Sequence, residues 1–209
     1  MKGKPVLIRL VVLIALGVLL LGAGCSSSPQ LTPLAPDAVI VAFGDSLTAG
    51  TGATSDSSYP AVLSRLIGRR VINAGVPGEV TSAGLMRLPQ LLEQEQPALV
   101  LLCLGGNDFL QRLDPAKAEQ HLRTMVGLLR ERGIGVVLIG VPRLGWGLEV
   151  PGWYGDIARE AGIPYEGKVL ARILADRSLK SDTIHPNAAG YQQMAEALAG
   201  LLRKAGALP

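Results

Sequence analysis

At 209 residues, with 48% apolar and 18% charged content, the chain is long enough for one well-buried globular domain and too short for two ordinary ones. Its net charge of +3 comes wholly from Lys2, Lys4 and Arg9, so the rest carries basic and acidic residues in equal number, a balance that argues against nucleic acid as a partner. The two cysteines, Cys25 and Cys103, imply no disulfide framework.

The first 24 residues join those three cations to an apolar run from Leu10 to Leu21 that ends in small residues, the pattern of a secretory signal peptide. That run falls short of the roughly 20 residues a membrane-spanning helix needs. The junction Leu21-Gly22-Ala23-Gly24-Cys25-Ser26 resembles a bacterial lipobox, although the leucine sits one position earlier than usual. It implies lipidation of Cys25 and anchoring at the periplasmic face of a membrane; the alternative is ordinary cleavage and a soluble periplasmic protein. Residues 25–37, rich in serine and with prolines at 29, 33 and 36, are expected to form a flexible tether, and residues 38–209 the folded domain.

Apolar runs over Ala38–Phe43, Val71–Ala74, Ala98–Leu104 and Ile134–Val141 read as buried strands, with a further strand near Pro164–Val169. Cys103, inside the third run, is expected as a buried, inert thiol. Pro115–Arg132 reads as a helix: Leu122, Met125, Val126 and Leu129 form one stripe, Asp114 suits the N-cap, Pro115 the first turn and Gly133 the end. A last helix is expected over Asn187–Lys204. Strands alternating with helices imply a parallel sheet covered on both faces, a doubly wound α/β sandwich whose ligands bind beyond the carboxyl ends of the strands.

Three polar segments interrupt the apolar pattern where strands should hand over to loops: Gly44-Asp45-Ser46-Leu47-Thr48, Gly105-Gly106-Asn107-Asp108 and Asp182-Thr183-Ile184-His185-Pro186. Acyl transfer needs a hydroxyl, a base, a carboxylate to hold that base, and donors for an oxyanion. These loops supply all four. No GxSxG elbow exists, which removes the α/β-hydrolase reading. Taken alone, Ser46 would more often be a turn or cap residue, and a lone DxxH a cap or metal-ligand pair; no further His or Cys cluster supports a metal. Of the two histidines, His121 borders the helical stripe and reads as an ordinary boundary residue, whereas Asp182 lies one turn from His185.

Together the three segments resemble the signature blocks of the SGNH/GDSL hydrolase family over about 170 residues, and Val71-Ile72-Asn73-Ala74 with the stretch from Leu88-Pro89 to Gln96-Pro97 resembles its bacterial arylesterases and thioesterase/lysophospholipases. The resemblance implies a flavodoxin-like three-layer α/β/α sandwich with a five-stranded parallel sheet, and a serine esterase working without metal or organic cofactor. It makes Ser46 the nucleophile, His185 with Asp182 its activating pair, and the Ser46 N–H, the Asn107 amide and a glycine N–H the oxyanion donors. Gly78 is the first choice for that glycine and Gly75 the second. Asp45 and Asp108 read as loop-fixing carboxylates.

Aryl or short-chain acyl esters are the expected substrates, lysophospholipids next; thioesters and acetylated sugars are alternatives, as is a non-catalytic envelope lipoprotein. Phe109 and Leu110, with Leu144, Trp146 and Leu148 from the Gly/Pro-rich segment after the fourth strand, are expected to form an apolar wall for the acyl or aryl group. The plainer alternative is that Trp146 and Trp153 pack onto neighbouring helices.

Overall fold

The computed structural model describes residues 29–143 and 147–209. The signal peptide and Cys25 lie outside the described residues, as do Leu144, Gly145 and Trp146.

Five parallel strands, β1 (Val39–Gly44), β2 (Arg70–Gly75), β3 (Leu99–Cys103), β4 (Gly135–Ile139) and β5 (Tyr165–Glu166), form one sheet in the order β2-β1-β3-β4-β5. The central strands β1, β3 and β4 are buried almost throughout, as uninterrupted apolar runs require when helices cover both faces. Edge strand β2 keeps Arg70 and Asn73 at the surface.

On one face the helix Tyr59–Ile67 (α2) packs against Ala188–Lys204 (α8), which also meets Val169–Ala175 (α7). On the other, Thr81–Glu95 (α3) packs on Pro115–Glu131 (α5), and α5 on Gly152–Ala161 (α6). The short helices α1 (Ser46–Ala49) and α4 (Gly106–Leu110) start directly beyond β1 and β3. From β1 the chain winds to β2 on one side, then to β3, β4 and β5 on the other. Strand order therefore reverses between β1 and β3, and a crevice opens at their carboxyl ends.

The helix expected at 115–132 runs Pro115–Glu131; Leu122, Met125, Val126 and Leu129 are buried, and the Asp114 carboxylate accepts from the Ala116 N–H at 2.9 Å. At the last helix the Asn187 side chain accepts from the Gly190 N–H at 3.0 Å, so Asn187 is the cap and not the first helical residue. The fifth strand, Tyr165–Glu166, is shorter than the stretch expected near Pro164–Val169. The Glu166 carboxylate accepts from the N–H groups of Lys168 and Val169, both at 2.9 Å, which ends the strand and starts α7 at Val169.

Part of the expected tether is bound to the domain. Leu31 N–H donates to the Ala205 carbonyl at 2.8 Å and Leu34 N–H to that of Ala207 at 2.9 Å. Both leucines pack against the core, Leu31 near Gly135 at the start of β4. These hydrogen bonds and buried methyl groups offset the ordering entropy that serines and prolines alone would not.

Candidate active site

Ser46 is the first residue of α1, placed at the carboxyl end of β1. Asp45 caps that helix, its Oδ1 accepting from the Leu47 N–H at 3.0 Å, so the chain leaves the strand and turns at once. At the first helical position the Ser46 N–H has no intrahelical acceptor.

The loop between Lys180 and Pro186, bridged across its ends, brings the other two groups over the serine. Asp182 Oδ1 accepts from the backbone N–H groups of Ile184 at 2.7 Å and His185 at 2.8 Å, and Oδ2 lies 2.7 Å from His185 Nδ1. His185 Nε2 lies 3.0 Å from Ser46 Oγ. Because an ionised carboxylate only accepts, Nδ1 carries the ring proton and Nε2 is left as acceptor for the Ser46 hydroxyl. Partial burial raises the Asp182 pKa, but hydrogen bonds from the His185 ring and from the two backbone N–H groups outweigh it and hold the carboxyl below its ordinary range.

Asn107, on α4, donates from Nδ2 to the Glu79 carbonyl at 3.0 Å and at a long 3.4 Å to Asp45 Oδ2. The two glycine candidates now separate. Gly75 N–H is taken by Asn73 Oδ1 at 3.0 Å, and a Cβ on Gly75 would overlap the Ala49 backbone, so this glycine serves close packing of β2 on α1. Gly78 occupies the left-handed region (φ 81°) in the turn closed by the Glu79 N–H to Val76 carbonyl bond at 3.1 Å. Pro77 precedes it, the arrangement of a type II turn, which needs φ > 0 at its third residue.

Both carboxylates read as loop-fixing are buried. Asp108 accepts from the Thr81 N–H at 2.9 Å and hydroxyl at 2.6 Å, tying α4 to the start of α3. The same hydroxyl lies 3.0 Å from His121 Nδ1. Since Thr81 gives its only proton to Asp108, His121 Nδ1 must be the donor, so His121 supports this bracket in addition to bordering the stripe. Asp45, 1% exposed, has its pKa raised from 3.8 to about 7, first by desolvation, against the Leu47 N–H that lowers it, with the charges of Glu79 and Asp108 adding to the rise.

An open-mouthed cavity of about 500 Å³, counting the space at its mouth, adjoins Ser46, Asn107 and His185. Of the residues expected in an apolar wall, Phe109 and Leu110 line this cavity and Leu148, half-buried, does not. Val141 and Pro142, directly beyond β4, take that side instead, and Leu174 of α7 and Ile184 close the other. The position of Val141 and Pro142 at the carboxyl end of the apolar run Ile134–Val141 is a usable signal. Leu174 has none, because only packing of α7 carries it there. Trp153 stacks on Tyr154 with centroids 3.9 Å apart and tilts against Phe109 at 6.3 Å, backing the wall from behind. Among the described residues no group of three or more His, Cys, Asp or Glu side chains is placed to hold a metal ion.

The family model of the GDSL-like lipase/acylhydrolases matches residues 42–193. Esterase TesA of Pseudomonas aeruginosa is 35% identical over 158 residues, covering 73% of this chain and 75% of its own. Thioesterase 1/protease 1/lysophospholipase L1 of Escherichia coli K12 is 30% identical over 168 residues, with coverage of 73% and 77%. Among solved structures, AlinE4, an SGNH-hydrolase family esterase, superposes with a TM-score of 0.59 at 33% identity over 81% of this chain and 96% of that one.

Proposed function

The chain belongs to the GDSL-like lipase/acylhydrolase family and is a hydrolase acting on esters; from that premise we propose that it cleaves carboxylic esters through an acyl-serine intermediate on Ser46. The observation that carries this reading is the hydrogen-bonded series Ser46 Oγ, His185 Nε2, His185 Nδ1 and Asp182 Oδ2, at 3.0 and 2.7 Å.

As Ser46 Oγ bonds to the ester carbonyl carbon, its proton passes to His185 Nε2, and Asp182 stabilises the imidazolium. The carbonyl oxygen gains the negative charge. Ser46 N–H, Gly78 N–H and the second Asn107 Nδ2 proton, held only by the long contact to Asp45, are its donors. Collapse breaks the bond to the leaving alcohol, which takes the proton from Nε2. Water then repeats the sequence on the acyl-serine, freeing the acid and restoring the hydroxyl.

The apolar lining by Phe109, Leu110, Val141, Leu174 and Ile184 directly beside Ser46 favours esters of an aryl or short acyl group. Lysophospholipid hydrolysis is second, favoured by the exposure of Leu110 (48%) in that lining and of Leu113 (42%) three residues on. A fluorophosphonate probe should label wild-type protein and not Ser46→Ala, with turnover of a chromogenic acetate lost in parallel. Labelling that survives the substitution refutes the assignment, and absence of any Ser46-dependent turnover favours a binding lipoprotein.

Lipidation of Cys25 remains part of the proposal. Acylated there, the protein would be held through the segment leading to Pro29, beside the C-terminal end of α8. Ser46 would then stand at the other end of that 17-residue helix, about 25 Å away. A labelled fatty acid should enter the full chain and not Cys25→Ala; label retained by the variant would place acylation elsewhere, and no label in the full chain would sink this part, leaving a soluble periplasmic enzyme.

A further inference from the structure

Arg87, on α3, has no place in the reaction as written, yet its ion pair leads to the oxyanion donors. Its Nε and Nη2 each lie 2.7 Å from the two oxygens of Glu79, a bidentate pair in which the carboxylate side chain is only 5% exposed. Nη2 also donates to the Ala74 carbonyl at 3.0 Å, and the guanidinium lies over the Phe43 ring at 4.2 Å. Phe43 and Ala74 are register partners at the carboxyl ends of β1 and β2. One planar group thus ties the loop after β2 to the carboxyl ends of β1 and β2.

That loop bears Gly78 and holds Asn107 of α4, the two oxyanion donors that do not come from Ser46. Gly78 is the residue before Glu79, and the Glu79 carbonyl receives one N–H of the Asn107 amide. An amide with one N–H held this way has its plane set, and the other N–H is aimed by the same bond. Displacing the Glu79 backbone by a fraction of an ångström would turn both donors together.

We propose that Arg87 is the positioning residue of the oxyanion site, acting through Glu79 on Gly78 and Asn107. The inference rests on the ester-hydrolysis reading above. A merely structural ion pair would hold the fold without touching the transition state, and the two roles predict different kinetics.

The test is a double-mutant cycle on the full chain with p-nitrophenyl acetate. Arg87→Lys keeps the charge and loses the fork. It should lower kcat by about 10- to 100-fold, the scale of a small misplacement at a reacting centre, with KM changed less than about twofold. In an Asn107→Ala background the same substitution should cost much less, because one of the donors it misdirects is already gone. Should Arg87→Lys fail to fold, Glu79→Gln, which keeps an acceptor for the fork, gives the same comparison. An equal factor in both backgrounds, a change in KM alone, or no change in kcat overturns the inference. Ser46→Ala assayed alongside separates the two levels: turnover that survives it refutes the underlying reading, whereas Ser46-dependent turnover with multiplicative losses refutes the role of Arg87 alone.

Discussion

Asp45→Asn should change how stability depends on pH, because the native protein holds this carboxyl where its charge is costly. The folded pKa of about 7 stands above the ordinary 3.8. Between about pH 4 and 7 the native state therefore keeps a proton that the unfolded chain has lost, and stability falls as pH rises through that window. The gap corresponds to about 4 kcal/mol at 1.36 kcal/mol per pH unit, an upper figure for a group that is 1% exposed. The asparagine carries no such cost. Its carbonyl oxygen can still accept from the Leu47 N–H, while its amide nitrogen faces the Asn107 amide at a loss of about 1 kcal/mol. Urea denaturation of both proteins at pH 4.5, 6, 7 and 8 measures the effect. Relative to wild type, Asp45→Asn should gain up to about 3 kcal/mol between about pH 4.5 and pH 8, the part of that gap the range spans, with unchanged m-values. Parallel stability curves, or a gain toward acid, would refute the reasoning.

Asn107→Ala should lower kcat by about 10²- to 10³-fold with KM little changed, the cost of one oxyanion donor; steady-state kinetics showing a rise in KM alone would make Asn107 a ground-state binding group. Asp182→Asn should cost about 10⁴-fold in kcat by losing the correct His185 tautomer, and a mild loss at unchanged melting temperature would mean that another group orients the ring. Gly75→Ala should destabilise by several kcal/mol on denaturation, since the new Cβ meets the Ala49 backbone, which cannot rotate away. Gly78→Ala meets nothing within 4 Å and should cost only about 1–2 kcal/mol of left-handed strain; similar losses at the two positions would contradict this distinction. Leu174→Ala should raise kcat/KM for hexanoate and octanoate esters relative to acetate, by up to about 0.8 kcal/mol per methylene newly buried, and an unchanged ratio would remove Leu174 from the acyl wall.

Much of the architecture is legible in local pattern. Short uninterrupted apolar runs such as Leu99–Cys103, bounded by Pro97 and Gly105, fit strands buried on both faces, and the cap, stripe and terminal glycine around Pro115–Glu131 each act within a turn or two. Asp182 and His185 are legible for the same reason: three residues apart, they need one local turn to meet. Where the chemistry depended on groups distant in sequence, only the packed structure decided. Gly75 and Gly78 look alike as letters, and they part because Asn73 occupies one N–H while α1 presses on the same residue. Pro89 should stop a helix by lacking a donor, yet α3 runs through it from Thr81 to Glu95, with Leu88 and Leu92 buried on either side. Leu174 became a cavity wall and Leu148 did not, through the packing of α7 against α8. The raised pKa of Asp45 follows from burial beside Glu79 and Asp108, 34 and 63 residues away along the chain. Solvent exclusion and charge proximity are properties of the assembled layers. Periodicity and turn chemistry act between near neighbours and cannot encode them.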